Sequence, residues 1–186
     1  MSVVLLSGGT GGAKLARGLY ELIGDELSVI VNTGDDIEIH GAYVSPDPDL
    51  VTYWLADQID ERGWGIRDDS FAAMEMLREL GVDVWFSLGD RDLALCLRRR
   101  ALLEAGLTLS EAHAALSRAL GVRAQVIPMS DDRVRTTIRS RTLTLGLQEF
   151  LIVHRGAAPI TTVEFGGAAD AAASPAARSW RAGSTS

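Results

Sequence analysis

Four short stretches of this 186-residue chain concentrate the residue types that phosphate and metal chemistry needs. The first is Ser7-Gly8-Gly9-Thr10-Gly11-Gly12-Ala13-Lys14. Glycines between a strand and a helix let backbone N–H groups approach a phosphate closely, and the helix N-terminus adds partial positive charge. Lys14 can add a point charge. The spacing is neither the dinucleotide-binding G-x-G-x-x-G nor the Walker pattern; a tight structural turn is the competing explanation, and the position at the first strand–helix switch favours the phosphate reading over it. The second stretch is Asn32-Thr33-Gly34-Asp35-Asp36 with Ser45-Pro46-Asp47-Pro48-Asp49. Hard carboxylates beside a phosphate loop suit Mg²⁺, which makes Asp35, Asp36 and Asp47 the candidate metal ligands. A solvated acidic loop, with Asp49 capping the next helix, would need no metal. The third is Leu88-Gly89-Asp90-Arg91-Asp92. Arg91 can clamp an anion bidentately, or pair with a capping Asp90 or Asp92. The fourth, Pro128-Met129-Ser130-Asp131-Asp132, reads as a turn. His40, His113 and His154 have no metal-ligand spacing, and His113 is expected on a solvated helix face.

These residues need a frame. Residues 3–7 and 27–32 read as buried strands around a helix that carries Leu15, Leu19, Leu22 and Ile23 at helical spacing and stops at Gly24. Continuous apolar strands around a helix indicate a parallel sheet covered on both faces. The fold class is therefore α/β: a Rossmann-like parallel sheet flanked by helices, with a small β-hairpin and helical insertion. Residues 33–48 read as a loop, 50–61 as a helix and 69–80 as another. Residues 83–88 suggest a third strand and 92–104 a helix. A capping box at Thr108–Glu111 opens the helix of 109–120. Residues 124–128 are strand-like, and 134–145 alternate as a hairpin with its turn near Ser140 and Arg141. From Gly167 the chain is Ala-, Ser- and Gly-rich, so 1–166 is read as the domain and 167–186 as a poorly ordered tail.

Composition narrows the function classes. The net charge is −7, the wrong balance for a nucleic-acid binder. Residues 21–60 hold ten acidic side chains and no Lys or Arg, so that stretch repels itself unless water or a cation screens it. No apolar window reaches membrane-spanning length, and no basic segment precedes the first apolar run, so no signal peptide is expected. The single cysteine, Cys96, excludes an intrachain disulfide and is expected in the core. A cytoplasmic protein is the expectation.

In order and spacing, Ser7-Gly-Gly-Thr-Gly-Gly, Asn32-Thr-Gly-Asp-Asp, Ser45-Pro-Asp-Pro-Asp, Gly63-Trp-Gly, Leu88-Gly-Asp-Arg-Asp-Leu-Ala and Pro128-Met-Ser-Asp-Asp resemble the 2-phospho-L-lactate transferase family of coenzyme F-420 biosynthesis. The resemblance covers about residues 1–166. It implies transfer of a phospholactyl or phosphoenolpyruvyl-type group from a guanosine diphosphate-linked donor to the deazaflavin FO, with release of GMP and a requirement for Mg²⁺. It implies that Gly8, Gly9, Thr10, Gly11 and Gly12 face the donor's phosphates, with Lys14, Asn32, Thr33 and Arg91 among the substrate contacts. It places Asp35, Asp36, Asp47 and Asp49 in the metal and acceptor region, and Asp49 and Ser87 where FO is contacted. Asp47 and Asp49 are the candidates for catalytic contact with the acceptor hydroxyl. Family members continue past residue 186 with a Pro-Ser-Asn-Pro-type segment, so the C-terminal half of the family fold is expected to be missing. A homo-oligomer is expected. The alternatives are a nucleotide-sugar-binding regulator of the same fold and an inactive truncated remnant.

Overall fold

The computed structural model describes residues 2–180. Three parallel strands, β1 (Val3–Ser7), β2 (Leu27–Val31) and β5 (Gln125–Pro128), pair in the order β1-β2-β5, with Val3 opposite Leu27 and Ser28 opposite Gln125. Helix α1 (Gly9–Ile23) returns between β1 and β2. Its fully buried residues are Ala13 and Ala16; of the four expected apolar residues Leu19 and Ile23 pack against the core, whereas Leu15 and Leu22 are exposed. Small side chains let α1 lie close to helix α2 (Pro46–Leu55). Ala13, Ala16, Val29, Val31, Val51 and Val126 form the centre of the first core.

The segment expected as a loop over 33–48 holds a hairpin, β3 (Ile37–Ile39) and β4 (Ala42–Val44). His40 and Gly41 both have positive φ at its two-residue turn, the geometry that matches strand twist. Helix α2 begins four residues before the expected start, because Pro46 is tolerated in a first turn. Asp49 is therefore inside the helix rather than capping it. Helices α3 (Ala72–Glu79) and α4 (Asp90–Glu104) pack with the β3–β4 hairpin around a second core of Ala42, Val44, Met74, Phe86, Leu88 and Cys96. Residues 83–88 make no strand. Their aromatic side chains are held by packing into this core, and the third parallel strand is β5 instead.

Helix α5 (Leu109–Ala119) has the expected capping box, with Thr108 and Glu111 exchanging hydrogen bonds. The hairpin over 134–145 is present as β6 (Arg135–Arg139) and β7 (Thr144–Gly146), and β8 (Thr162–Gly166) extends it to a three-stranded antiparallel sheet. Helix α6 (Leu147–Ile152) covers its inner face through Phe150. The tail departs from expectation over 167–180. Ser174 is buried, donates to Pro128 O at 2.7 Å and caps helix α7 (Pro175–Ser179). Residues 181–186 of the expected tail lie outside the described residues. Among the described residues, no helix is long and apolar enough to cross a membrane.

Candidate active site

The sheet fixes the site's position, because in a parallel open sheet the strand carboxyl ends face the ligand crevice. β1 ends at Ser7 and β2 runs into Asn32. The glycine cluster is not a loop ahead of the helix. Gly8 is the N-cap, and Gly9 to Gly12 form the first turn of α1. Gly9 has φ of +67° and needs glycine on that account. At Gly12 a Cβ would collide with the Ser7 side chain, whereas at Gly11 it would meet nothing within 4 Å. The Ser7 and Thr33 hydroxyls are buried here, and neither has a hydrogen-bond partner among the described residues.

One carboxylate already occupies this helix end. Gly9 N–H donates to Asp47 Oδ1 at 2.8 Å, and Asn32 Nδ2 donates to Asp47 Oδ2 at 3.0 Å. The same amide donates to Asp35 Oδ1 at 3.0 Å, while Asn32 Oδ1 accepts from Gly34 N–H. Asn32 thus ties the two acidic segments together. Gln148, on α6, adds a donor to Asp35 Oδ2 at 3.2 Å. Burial, reinforced by the Asp47 and Asp36 charges, pushes the Asp35 carboxyl up to about 8. Two hard carboxylates that share one amide form a donor set suited to a divalent cation.

Asp36 stands apart from that pair. Its oxygens accept from Ser45 Oγ at 2.7 Å and Tyr43 OH at 2.9 Å, and burial pushes it up to about 7. Those bonds anchor the β3–β4 hairpin. Asp49 is also engaged internally. Both its oxygens are taken by the fully buried Arg99, which also donates to Tyr43 O. Burial raises the Asp49 carboxyl and Arg99 opposes that rise. His113 is buried rather than solvated; its Nε2 lies 3.1 Å from Thr52 Oγ1, and burial pushes it down to about 3. Asp49, Asp92 and Cys96 bring potential ligand atoms within 4.8 Å. The Arg99 guanidinium already supplies the cation at that cluster.

The Gly89–Asp92 motif is mainly architectural. Asp69 accepts from Arg91 N–H and Asp92 N–H at the start of α4, and Asp90 accepts from Ala72 N–H and Ala73 N–H at the start of α3. The two helix ends are capped reciprocally. Arg91 is exposed and donates to Arg67 O, so the structure does not bring it to the glycine turn. Lys14 is exposed with Nζ 5.9 Å from the centre of the Trp54 ring, on the second turn of α1 and away from the helix end.

Between these parts lies a cavity of about 480 Å³. Its apolar wall is built from Tyr53, Trp64, Phe71, Trp85 and Phe86, with Arg62 stacked 4.3 Å from the Trp64 ring. Its polar lining includes Asp47, Asp49, Ser87, Asp92 and Gln148. A slot of aromatic rings with a few polar groups is suited to a planar ligand. Among the expected residues the structure therefore joins Asp47, Asp49 and Ser87 to the cavity, and Asp47 links the cavity to Gly9, Asn32 and, through Asn32, Asp35. Arg99, Gln148 and Tyr53 escaped sequence reasoning, and Asp69, read as an opening residue of the 69–80 helix, caps α4 instead. Only Tyr53 had a local signal, as an aromatic on the helix that follows the Ser-Pro-Asp-Pro-Asp stretch.

The chain matches the family model described as 2-phospho-L-lactate transferase CofD over residues 3–180. It is 46% identical over 177 residues to the 2-phospho-L-lactate transferase of Methanopyrus kandleri, covering 94% of this chain and 57% of that protein. It is likewise 46% identical over 143 residues to the phosphoenolpyruvate transferase of Kitasatospora aureofaciens, covering 75% and 44%. The solved structure of a UPF0052 family protein from Bacillus halodurans shares the fold with a TM-score of 0.58 at 16% identity, over 95% of this chain and 54% of that one. The chain spans roughly half the length of these relatives. On the extent of the family match and of the identity to these transferases, the chain belongs to the 2-phospho-L-lactate transferase CofD family.

Proposed function

We propose that the chain carries the acceptor pocket and the phosphate end of a transferase that moves a phospholactyl or phosphoenolpyruvyl-type group from a guanosine diphosphate-linked donor to FO, releasing GMP. The observation that carries this reading is the adjacency of two features. The aromatic cavity fits a planar deazaflavin, and Asp47 joins that cavity to the first turn of α1. An acceptor stacked in the cavity would present its side-chain hydroxyl toward a phosphate at the helix end.

Each residue then has a defined task. Thr10 to Gly12 offer N–H groups beside the Gly9 N–H that Asp47 holds, the glycines allow close approach to the diphosphate, and the hydroxyls of Ser7 and Thr33, unpartnered among the described residues, are available to its oxygens. Asp35 and Asp47 would hold Mg²⁺, which when bound supplies charge neutralisation at the diphosphate. Asn32 keeps those two carboxylates in register. Asp47, the carboxylate between cavity and helix end, is the proposed contact for the acceptor hydroxyl. Asp49 positions the floor of the cavity through Arg99 and is not free to act as a base. The Trp64 and Trp85 rings hold the acceptor plane, and Ser87 lies on the same wall.

Turnover with FO, the two candidate donors and Mg²⁺ tests the reading, on this chain and on a form extended to the length of the relatives. Formation of an FO phosphodiester with stoichiometric GMP by the extended form is expected. Binding of a UDP-sugar without any FO turnover would favour a nucleotide-sugar-binding regulator.

A further inference from the structure

Asp92 is a carboxylate that the chemistry above does not use. It lines the aromatic cavity and is held on one side only: Tyr53 OH donates to its Oδ1 at 2.7 Å, and the Cys96 thiol lies 3.8 Å from the same oxygen. No described group donates to Oδ2. Its backbone N–H is fixed by Asp69 at 3.1 Å, and the reciprocal caps on α3 and α4 hold that turn rigid. Arg99, whose charge acts on Asp92, is already bidentate on Asp49. A carboxylate facing an aromatic slot with one oxygen unmatched loses solvation when a ligand fills the slot, unless the ligand brings a donor.

We propose that Asp92 Oδ2 accepts a hydrogen bond from an N–H or O–H donor of the planar acceptor, so that Asp92 selects and orients that molecule in the cavity. This deepens the acceptor reading and rests on it. Tyr53 is the positioning residue, since its hydroxyl fixes Oδ1 of a carboxylate that lines the cavity and leaves Oδ2 for the ligand. Two donor types on a deazaflavin share this chemistry, the ring imide N–H and a side-chain hydroxyl. Burial and the Asp49 charge push Asp92 up to about 6, so above pH 7.5 the acceptor form predominates.

The test is fluorescence titration at pH 8 with three probes: FO, its ring-N-methylated derivative, and a derivative with the side-chain hydroxyls removed. The wild-type chain should bind one derivative at least tenfold more weakly than FO, which identifies the donor. Asp92→Asn keeps the Tyr53 bond and turns an amide donor into the slot. It should bind FO at least tenfold more weakly while binding the affected derivative no worse than wild type does. Asp92→Ala should bind FO and that derivative within threefold of each other. Equal discrimination by wild type, Asp92→Asn and Asp92→Ala would overturn the role of Asp92 while leaving the acceptor pocket intact. Absence of FO binding to the wild-type chain would overturn the acceptor reading itself, and this inference with it. Tyr53→Phe should reduce discrimination at least threefold, an effect that general loosening of the fold would not give, since it would weaken all three probes alike.

Discussion

Asp47 sits on the N–H of Gly9 at 2.8 Å, so the first turn of α1 is capped by a side chain from α2, 38 residues away. That carboxylate occupies the same electrostatic position that a bound phosphate prefers. Helices α1 and α2 are therefore tied together at the carboxyl end of the sheet before any ligand arrives. Removing the tie with Asp47→Ala should destabilise the chain by about 1–2 kcal/mol, the usual effect of losing a helix cap, read as a shift in the urea midpoint. Unchanged stability would mean that the contact is incidental. In the same variant, donor binding should lose its dependence on Mg²⁺.

The glycines of the turn should separate into two classes. Gly12→Ala drives a methyl group into Ser7 and should cost about 1–3 kcal/mol of stability through overpacking. Gly11→Val meets open space, so the fold should persist while binding of a guanosine donor is impaired. Circular dichroism melting and donor titration on the two variants check this pair. Normal donor binding by Gly11→Val would make the turn structural only.

The buried Asp49–Arg99 pair should behave as a unit. Arg99→Met leaves an uncompensated carboxylate and should cost about 3–5 kcal/mol, whereas joint replacement by Asp49→Leu and Arg99→Met should recover most of that loss. Chemical denaturation of both single variants and the double variant measures the coupling. Additive losses would contradict the pairing.

Part of this arrangement was legible in the sequence. The Gly8–Gly12 and Asn32–Asp36 stretches were placed correctly at a sheet edge, because short apolar strands followed by glycine give a local signal. The α5 capping box was legible for the same reason. What failed was long-range. Nothing within a few residues of Asp49 announces that Arg99, fifty positions on, will take both its oxygens. The run of residues 83–88 is as apolar as a strand, yet tertiary packing of Trp85 and Phe86 decides its form. On α1 the spacing finds Leu19 and Ile23 but not Ala13 and Ala16, whose small side chains permit close contact with α2.

Stability should depend on pH through Asp35. Its folded value of about 8 lies above the ordinary 3.8, so the folded chain holds a proton that the unfolded chain has released between those values. The Asp35 contribution is fully present below about pH 4 and is lost as pH rises through 8. Asp35→Asn should therefore gain stability relative to wild type between pH 5.5 and pH 8.5, and Mg²⁺ should narrow the difference at the upper end. Parallel pH profiles for the two proteins would contradict the buried-acid account.

Val4 and Leu6 lie on the outer face of β1, an edge strand, and Leu6 is 75% exposed. An apolar face beside an unpaired strand edge favours association. Sedimentation should show concentration-dependent self-association of the chain, reduced by Leu6→Lys. A monodisperse monomer at all concentrations would contradict this.

The aromatic cavity beside Asp47 is proposed as an FO pocket. The direct measurement is titration of the chain with FO, following FO fluorescence, in parallel with Trp64→Ala. The account predicts saturable one-to-one binding that weakens at least tenfold in Trp64→Ala, with no competition from UDP-sugars. Absence of saturable FO binding, or equal binding by Trp64→Ala, would contradict it.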